Sequence, residues 1–147
     1  MTVGCALSNC AIKKESAEFC WLCGEEKTCE RWKRHRELGK QHDSFVSYIR
    51  LENNISSVQE HGVEEFEKQQ KRRESLLITM LKEYDEGRSK TYYCIAASVL
   101  DVPDLEVSLE EARKQAGNLE TKEKAIVLHG ILDRFAARKK CYLKLRK

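Results

Sequence analysis

Five of the seven cysteines in this chain lie within its first 29 residues, at positions that suit metal binding. They are Cys5, Cys10, Cys20, Cys23 and Cys29. Two cysteines in a C-x2-C pattern, such as Cys20 and Cys23, let one tight turn present two sulfur atoms to a single ion. Thiols this dense serve a metal or a set of disulfides better than they serve a hydrophobic core. The cluster therefore predicts a metal site close to the N-terminus.

We expect one zinc ion to be held by the thiolates of Cys5, Cys10, Cys20 and Cys23. Four thiolates complete the tetrahedral coordination of Zn2+, so the metal would be structural rather than catalytic. Cys29 is the surplus thiol: it is an alternative or extra ligand, a reactive thiol beside the metal, or a packed side chain. An iron–sulfur cluster is the alternative cofactor, although the known spacings with three close cysteines are not matched here.

Length and composition favour a helical protein with a small metal module. The chain has 147 residues, 41% of them apolar and 35% charged, with a single proline. This profile is unlike that of a disordered chain. No apolar run approaches the roughly 20 residues of a membrane span, and the first residues do not resemble a secretory signal, so no membrane partner is expected. We expect a reducing cytoplasmic setting, where clustered cysteines bind metal more often than they form disulfides.

Helical spacing of the apolar residues predicts an all-α fold after residue 30. Helices are expected to end at Gly39, Gly62 and Gly87, and the second of them to open at Asp43 or Ser44. The polar middle of the third helix, residues 67–74, is expected to face solvent, and residues 90–102 to form a buried helix.

The C-terminal part predicts two further helices. Pro103 is expected to break the chain, and Ser108 to open a helix in a capping box with Glu111. Thr121 should open the last helix, whose expected core stripe is Ala125, Leu128, Leu132, Phe135 and Tyr142. The predicted organisation is an irregular metal module at residues 1–30 and a helical domain at residues 31–147, packed together as one unit.

A basic stretch with one tryptophan follows the cysteines directly. It consists of Arg31, Trp32, Lys33, Arg34 and Arg36. Cations beside an aromatic ring can contact the phosphates and bases of a nucleic acid. Acidic segments elsewhere leave a net charge of only +3, which by itself does not indicate a polyanionic partner. Nucleic-acid binding by this stretch is therefore an alternative function.

The order of the cysteines and two downstream segments resemble a cysteine-rich archaeal and bacterial family of unknown function. That family has C-x4-C, then C-x2-C, then an isolated cysteine that commonly follows a proline, where this chain has Thr28. The downstream segments are residues 60–70 and 87–96. The resemblance covers roughly the first 100 residues and implies a zinc-binding module on a helical body. It brings no established activity, and the extra cysteines of the family's longer members are missing here.

The sequence contains none of the common catalytic motifs, so we expect a non-enzymatic role. It has no glycine-rich phosphate loop, no His-Glu-x-x-His helix and no nucleophile elbow. We predict an adaptor or regulatory protein whose zinc site holds the N-terminus as a surface for a protein partner. The alternatives are the nucleic-acid-binding protein and a thiol-redox or metal-handling protein that uses Cys29. The sequence is also compatible with a homo-oligomer.

Overall fold

The computed structural model describes residues 6–13, 17–41 and 50–144, and these ranges contain helices and no strands. The predicted all-α class is confirmed. The α-helices are α1 (Ala6–Lys13), α2 (Glu30–Gln41), α3 (Leu51–His61), α4 (Val63–Glu83), α5 (Lys90–Val99), α6 (Val102–Ala116) and α7 (Thr121–Arg138). None of these helices combines the length and the apolar character that crossing a bilayer requires. Two 3-10 helices, Cys20–Leu22 and Glu26–Thr28, lie between α1 and α2.

The chain divides into two compact units, Met1–His42 and Asp43–Lys147. In the first unit, α1 contacts α2 and the two 3-10 helices contact each other. Helix α2 therefore belongs with the cysteine-rich region, whereas the boundary expected from the sequence falls at its start. That the metal module and the helical domain pack as one unit stays a prediction.

The second unit is built around α5, which is buried as predicted. Tyr93 and Ala96 of this helix are fully buried, and α5 packs against α4 while α6 packs against α7. The core also includes Met80, Leu100, Leu105, Leu128 and Leu132. Helix α7 buries its expected stripe from Ala125 to Phe135 but ends at Arg138. Tyr142 lies beyond that end and is 63% exposed, so its placement in the core stripe is wrong.

Helix α6 begins earlier than the sequence pattern indicates. Pro103 does not break the chain but occupies the first turn of α6, where its missing N–H has no helical partner to lose. The predicted capping box at Ser108 is wrong, because Ser108 is buried within the helix and donates its hydroxyl hydrogen to the Asp104 carbonyl at 2.7 Å. The capping box lies instead at the start of α7 and is formed by Glu120 and Glu123.

Two glycines adopt the left-handed conformation that the helix junctions require. Gly62 (φ +83°) separates α3 from α4, as predicted, and Gly87 (φ +95°) lies in the turn after α4. Both conformations are strained for residues with a side chain. Gly39 does not end a helix, because α2 continues to Gln41. The predicted helix start at Asp43 or Ser44 lies outside the described residues.

Candidate metal centre

Four cysteines of the first unit line one small pocket of about 80 Å3. Cys10 comes from α1, Cys20 from the first 3-10 helix, Cys23 from the residue after it, and Cys29 from the residue before α2. All four are partly buried, and within the described part of the chain none of them forms a disulfide. Residues up to 19 positions apart in the sequence thus contribute thiols to the same space.

Short hydrogen-bonded turns bring three of these cysteines together. The N–H of Cys23 donates to the carbonyl of Cys20 at 3.2 Å, which closes the C-x2-C turn. The next 3-10 turn is closed by the N–H of Cys29, which donates to the carbonyl of Glu26 at 3.3 Å. The rings of Phe19 and Trp21 stack at 4.6 Å on the flank of the first turn. Hydrogen bonds between residues close in the sequence therefore hold Cys20, Cys23 and Cys29 in turns that border the pocket.

The electrostatics of the pocket also indicate that the thiols are neighbours. Burial raises the pKa of the Cys20 thiol, and the negative charges that Cys29, Cys10 and Cys23 would carry as thiolates raise it further. Thiolates gathered in one place repel one another. A bound divalent cation reverses this effect, because it deprotonates its thiol ligands outright.

Zinc suits the donor set, since thiolates are the ligands of structural zinc sites. Among the described residues, no group of three or more Cys, His, Asp or Glu side chains stands close enough together to hold an ion without adjustment. The four sulfur atoms would have to move closer to reach tetrahedral coordination at about 2.3 Å from the metal. Cys5, a member of the predicted quartet, lies outside the described residues. Among the described residues, the pocket groups Cys29 with Cys10, Cys20 and Cys23.

The tryptophan of the basic stretch lies against the cysteine pocket. Trp32 is 8% exposed and lines the pocket. The guanidinium of Arg36 lies 5.9 Å from the centroid of the Trp32 ring, in cation–π range. Burial of the ring leaves little of its surface for a base to stack on. Arg31, Lys33 and Arg34 are exposed, and nucleic-acid binding by these cations stays a prediction.

In the second unit the structure brings His129 and Asp133 to Tyr92 and Tyr93, a meeting that the sequence pattern does not predict. The rings of Tyr92 and His129 stack at 4.0 Å, and Tyr93 meets His129 edge-on at 5.3 Å. The hydroxyl of Tyr92 donates to Oδ1 of Asp133 at 2.8 Å. Tyr92 and His129 are 37 residues apart, and no spacing pattern links them.

Stability of the protein is expected to fall on acidification below about pH 6.5 because of His129. Burial lowers the pKa of His129 from its usual 6.5, although the carboxylates of Glu86 and Asp133 oppose this shift. The unfolded chain therefore takes up a proton at a pH where the folded protein does not, and this favours unfolding. His129→Gln should show a smaller loss of urea midpoint between pH 7.5 and pH 5.5. His61→Gln, at an exposed histidine of α3, is the control, and an equal pH dependence in both variants would contradict the prediction.

Comparison with known proteins identifies no relative of this chain, so its function has to be inferred from its own residues. No family model, no curated protein and no solved structure matches this sequence. The fold and the pocket define an all-α protein with a thiol-lined pocket in its N-terminal unit. The archaeal and bacterial family that the cysteine order resembles stays an expectation.

Proposed function

We propose that this protein binds one structural zinc ion through Cys10, Cys20, Cys23 and Cys29, and acts as a non-enzymatic adaptor. The observation that supports this proposal is the convergence of these four thiols on one pocket from separate elements of the first unit. Four thiolates leave no open coordination position for a substrate. The metal therefore has a structural task, in a compartment such as the cytoplasm where the thiols stay reduced.

The turn between the two central cysteines gives the adaptor a surface for a protein partner. Leu22 lies between Cys20 and Cys23 and is 62% exposed. Zinc bound to both flanking cysteines would hold the backbone of this turn in one conformation. A contact residue on a preordered turn loses less conformational entropy on binding than one on a flexible segment. The partner we propose is a protein with an apolar cleft that accepts Leu22.

The metal content of single cysteine variants tests which thiols bind. We expect about one zinc per chain in the anaerobically purified protein and in Cys5→Ser. Cys29→Ser should bind zinc at least roughly 100-fold more weakly, since even the loss of a residue that only supports a ligand costs up to about that factor. Cys94→Ser, in α5 of the second unit, is the matched control and should retain the metal. Elemental analysis, followed by competition with a chelator, measures both quantities.

Three results would overturn parts of the proposal. Loss of zinc in Cys5→Ser with retention in Cys29→Ser would return the site to the quartet that the sequence alone favours. A brown protein containing iron would replace zinc by an iron–sulfur cluster. Absence of any metal from protein purified anaerobically, together with no uptake of added zinc, would refute the metal site altogether.

A further inference from the structure

The second unit contains a groove that the zinc proposal does not use. Its volume is about 430 Å3, within the range of small-molecule sites. The groove is lined by Glu86, Arg88, Lys122, Ala125, Ile126 and His129. These residues come from the turn that follows α4 and from the first half of α7, so two parts of the chain about 40 residues apart form its walls.

The wall formed by the turn is held in place by its own hydrogen bonds. Oδ1 of Asp85 accepts the N–H of Gly87 at 3.0 Å and the N–H of Ser89 at 3.1 Å. The Ser89 hydroxyl donates to Oε2 of Glu86 at 2.6 Å, and Ser89 is buried. Arg88 stands between these anchored residues and is exposed. The backbone that carries Arg88 is therefore fixed before any ligand arrives.

Two cations of the groove form no ion pair with another described side chain, although Glu86 lines the same groove. In the part of the chain that the structure describes, Arg88 and Lys122 have neither an ion-pair nor a hydrogen-bond partner. Both are exposed and both line the groove. Lys122 lies in the first turn of α7, where the helix dipole adds positive potential. Two such cations are suited to bind one carboxylate or phosphate group through charge-assisted hydrogen bonds.

The remainder of the groove combines apolar surface from Ala125 and Ile126 with the His129 ring and the Glu86 carboxylate. Ile126 is 66% exposed, so a ligand covering it would remove a large apolar side chain from water. His129 is held by its stacking on Tyr92, whose hydroxyl is fixed by Asp133. Glu86 adds one negative charge, which disfavours ligands with many negative charges. A small ligand with a single anionic group fits this arrangement better than a polyanion does.

We propose that this groove binds a small organic anion, with its carboxylate or phosphate between Arg88 and Lys122 and its apolar body over Ile126 and His129. The site lies entirely within the second unit and requires no metal. It is therefore independent of the zinc proposal, and either can fail without the other.

Titration of the full chain with phenyl phosphate, followed by two-dimensional amide NMR, tests the site. We expect saturable shifts at the amides of Gly87, Arg88, Lys122 and Ile126. Inorganic phosphate and phenol, which each carry half of the ligand chemistry, should bind at least tenfold more weakly. Arg88→Met and Lys122→Met should each weaken phenyl phosphate about tenfold, the expected cost of one charge-assisted hydrogen bond. Lys71→Met, at an exposed lysine of α4, makes the same charge change and should leave the affinity unaltered.

Any of three outcomes would overturn the proposal. The first is an absence of saturable shifts at these amides with phenyl phosphate at about 10 mM. This concentration exceeds the dissociation constant of about 1 mM that a weak site has. The second is equal weakening by Lys71→Met, which would reduce the effect to net charge. The third is equally strong binding of phenol, which would make the groove an apolar site without anion recognition.

Discussion

Cys23→Ser is expected to release the zinc ion that we propose and to unfold the first unit, while the helices of the second unit stay folded. The physical reason is that the described side chains of the first unit bury little apolar surface. Among the side chains described there, Trp32 is the only buried one. Zinc binding to four-ligand peptides supplies about 10–16 kcal/mol of apparent free energy at pH 7, more than the whole stability of many domains. Without that contribution, we expect the apolar surface buried by the described side chains of the first unit to be too small to keep α1, α2 and the two 3-10 helices ordered.

Amide NMR separates the two units in one measurement. In Cys23→Ser, and in the parent protein treated with a chelator, the signals of residues 20–41 should collapse to unfolded positions. Signals from the core of the second unit, such as Met80, Leu105 and Leu132, should not move. Added zinc should restore the chelated parent but not the variant, and Cys94→Ser should behave like the parent. A dispersed spectrum for α2 in metal-free protein would contradict the prediction.

Arg73→Met is expected to destabilise the second unit by about 2–5 kcal/mol, because Arg73 donates hydrogen bonds to the carbonyl oxygens at the C-terminal end of a buried helix. Nη1 of Arg73 donates from α4 to the carbonyl oxygens of Ala97 and Leu100 at the C-terminal end of α5. The last carbonyls of a helix have no partner within it, and each one left unpaired and buried costs about 1–3 kcal/mol. Methionine matches the aliphatic stem of arginine but has no donor for these oxygens.

The charge of Arg73 is retained at neutral pH despite its partial burial. Burial, together with the nearby charge of Arg50, lowers the pKa of Arg73 to about 10, and Asp101 acts in the opposite direction. Arg50 also binds the C-terminal end of α5. Its Nη1 donates to the Val99 carbonyl at 3.0 Å and to Oδ1 of Asp101 at 2.7 Å. The cation is thus available to donate wherever the protein is normally studied.

Urea denaturation of Arg73→Met and Arg72→Met provides the matched comparison. Arg72 is the preceding residue of α4 and forms an exposed ion pair with Glu106 at 2.7 Å. Exposed ion pairs contribute roughly 0–1 kcal/mol, so Arg72→Met should lower the free energy of unfolding by no more than about that amount. Equal effects of the two substitutions would show that Arg73 does not stabilise the end of α5.

Arg73 also illustrates where sequence reasoning was incomplete. It lies in the polar middle of α4, residues 67–74, which the sequence pattern predicts to face solvent, and most of that stretch is exposed. Apolar spacing assigns the faces of a helix from side chains that avoid water. Arginine can bury its stem while its guanidinium reaches a distant carbonyl, and hydropathy does not register this behaviour. The capping-box prediction at Ser108 was wrong because the pattern S-x-x-E occurs within helices as well as at their starts. Inside a helix, a serine hydroxyl can donate to the carbonyl four residues earlier.

The sequence by itself determined the helical class, the glycine junction between α3 and α4, the buried character of α5 and the concentration of thiols near the N-terminus. These features can be read from short stretches of the chain. They depend on the spacing of apolar residues along a helix, on the backbone freedom of Gly62 and on the density of cysteines. Only the tertiary structure decided that Cys29 joins Cys10 in one pocket, that Arg73 reaches the end of α5, and that His129 stacks on Tyr92. Each of these meetings depends on the direction in which separate elements pack, and no local pattern encodes that direction.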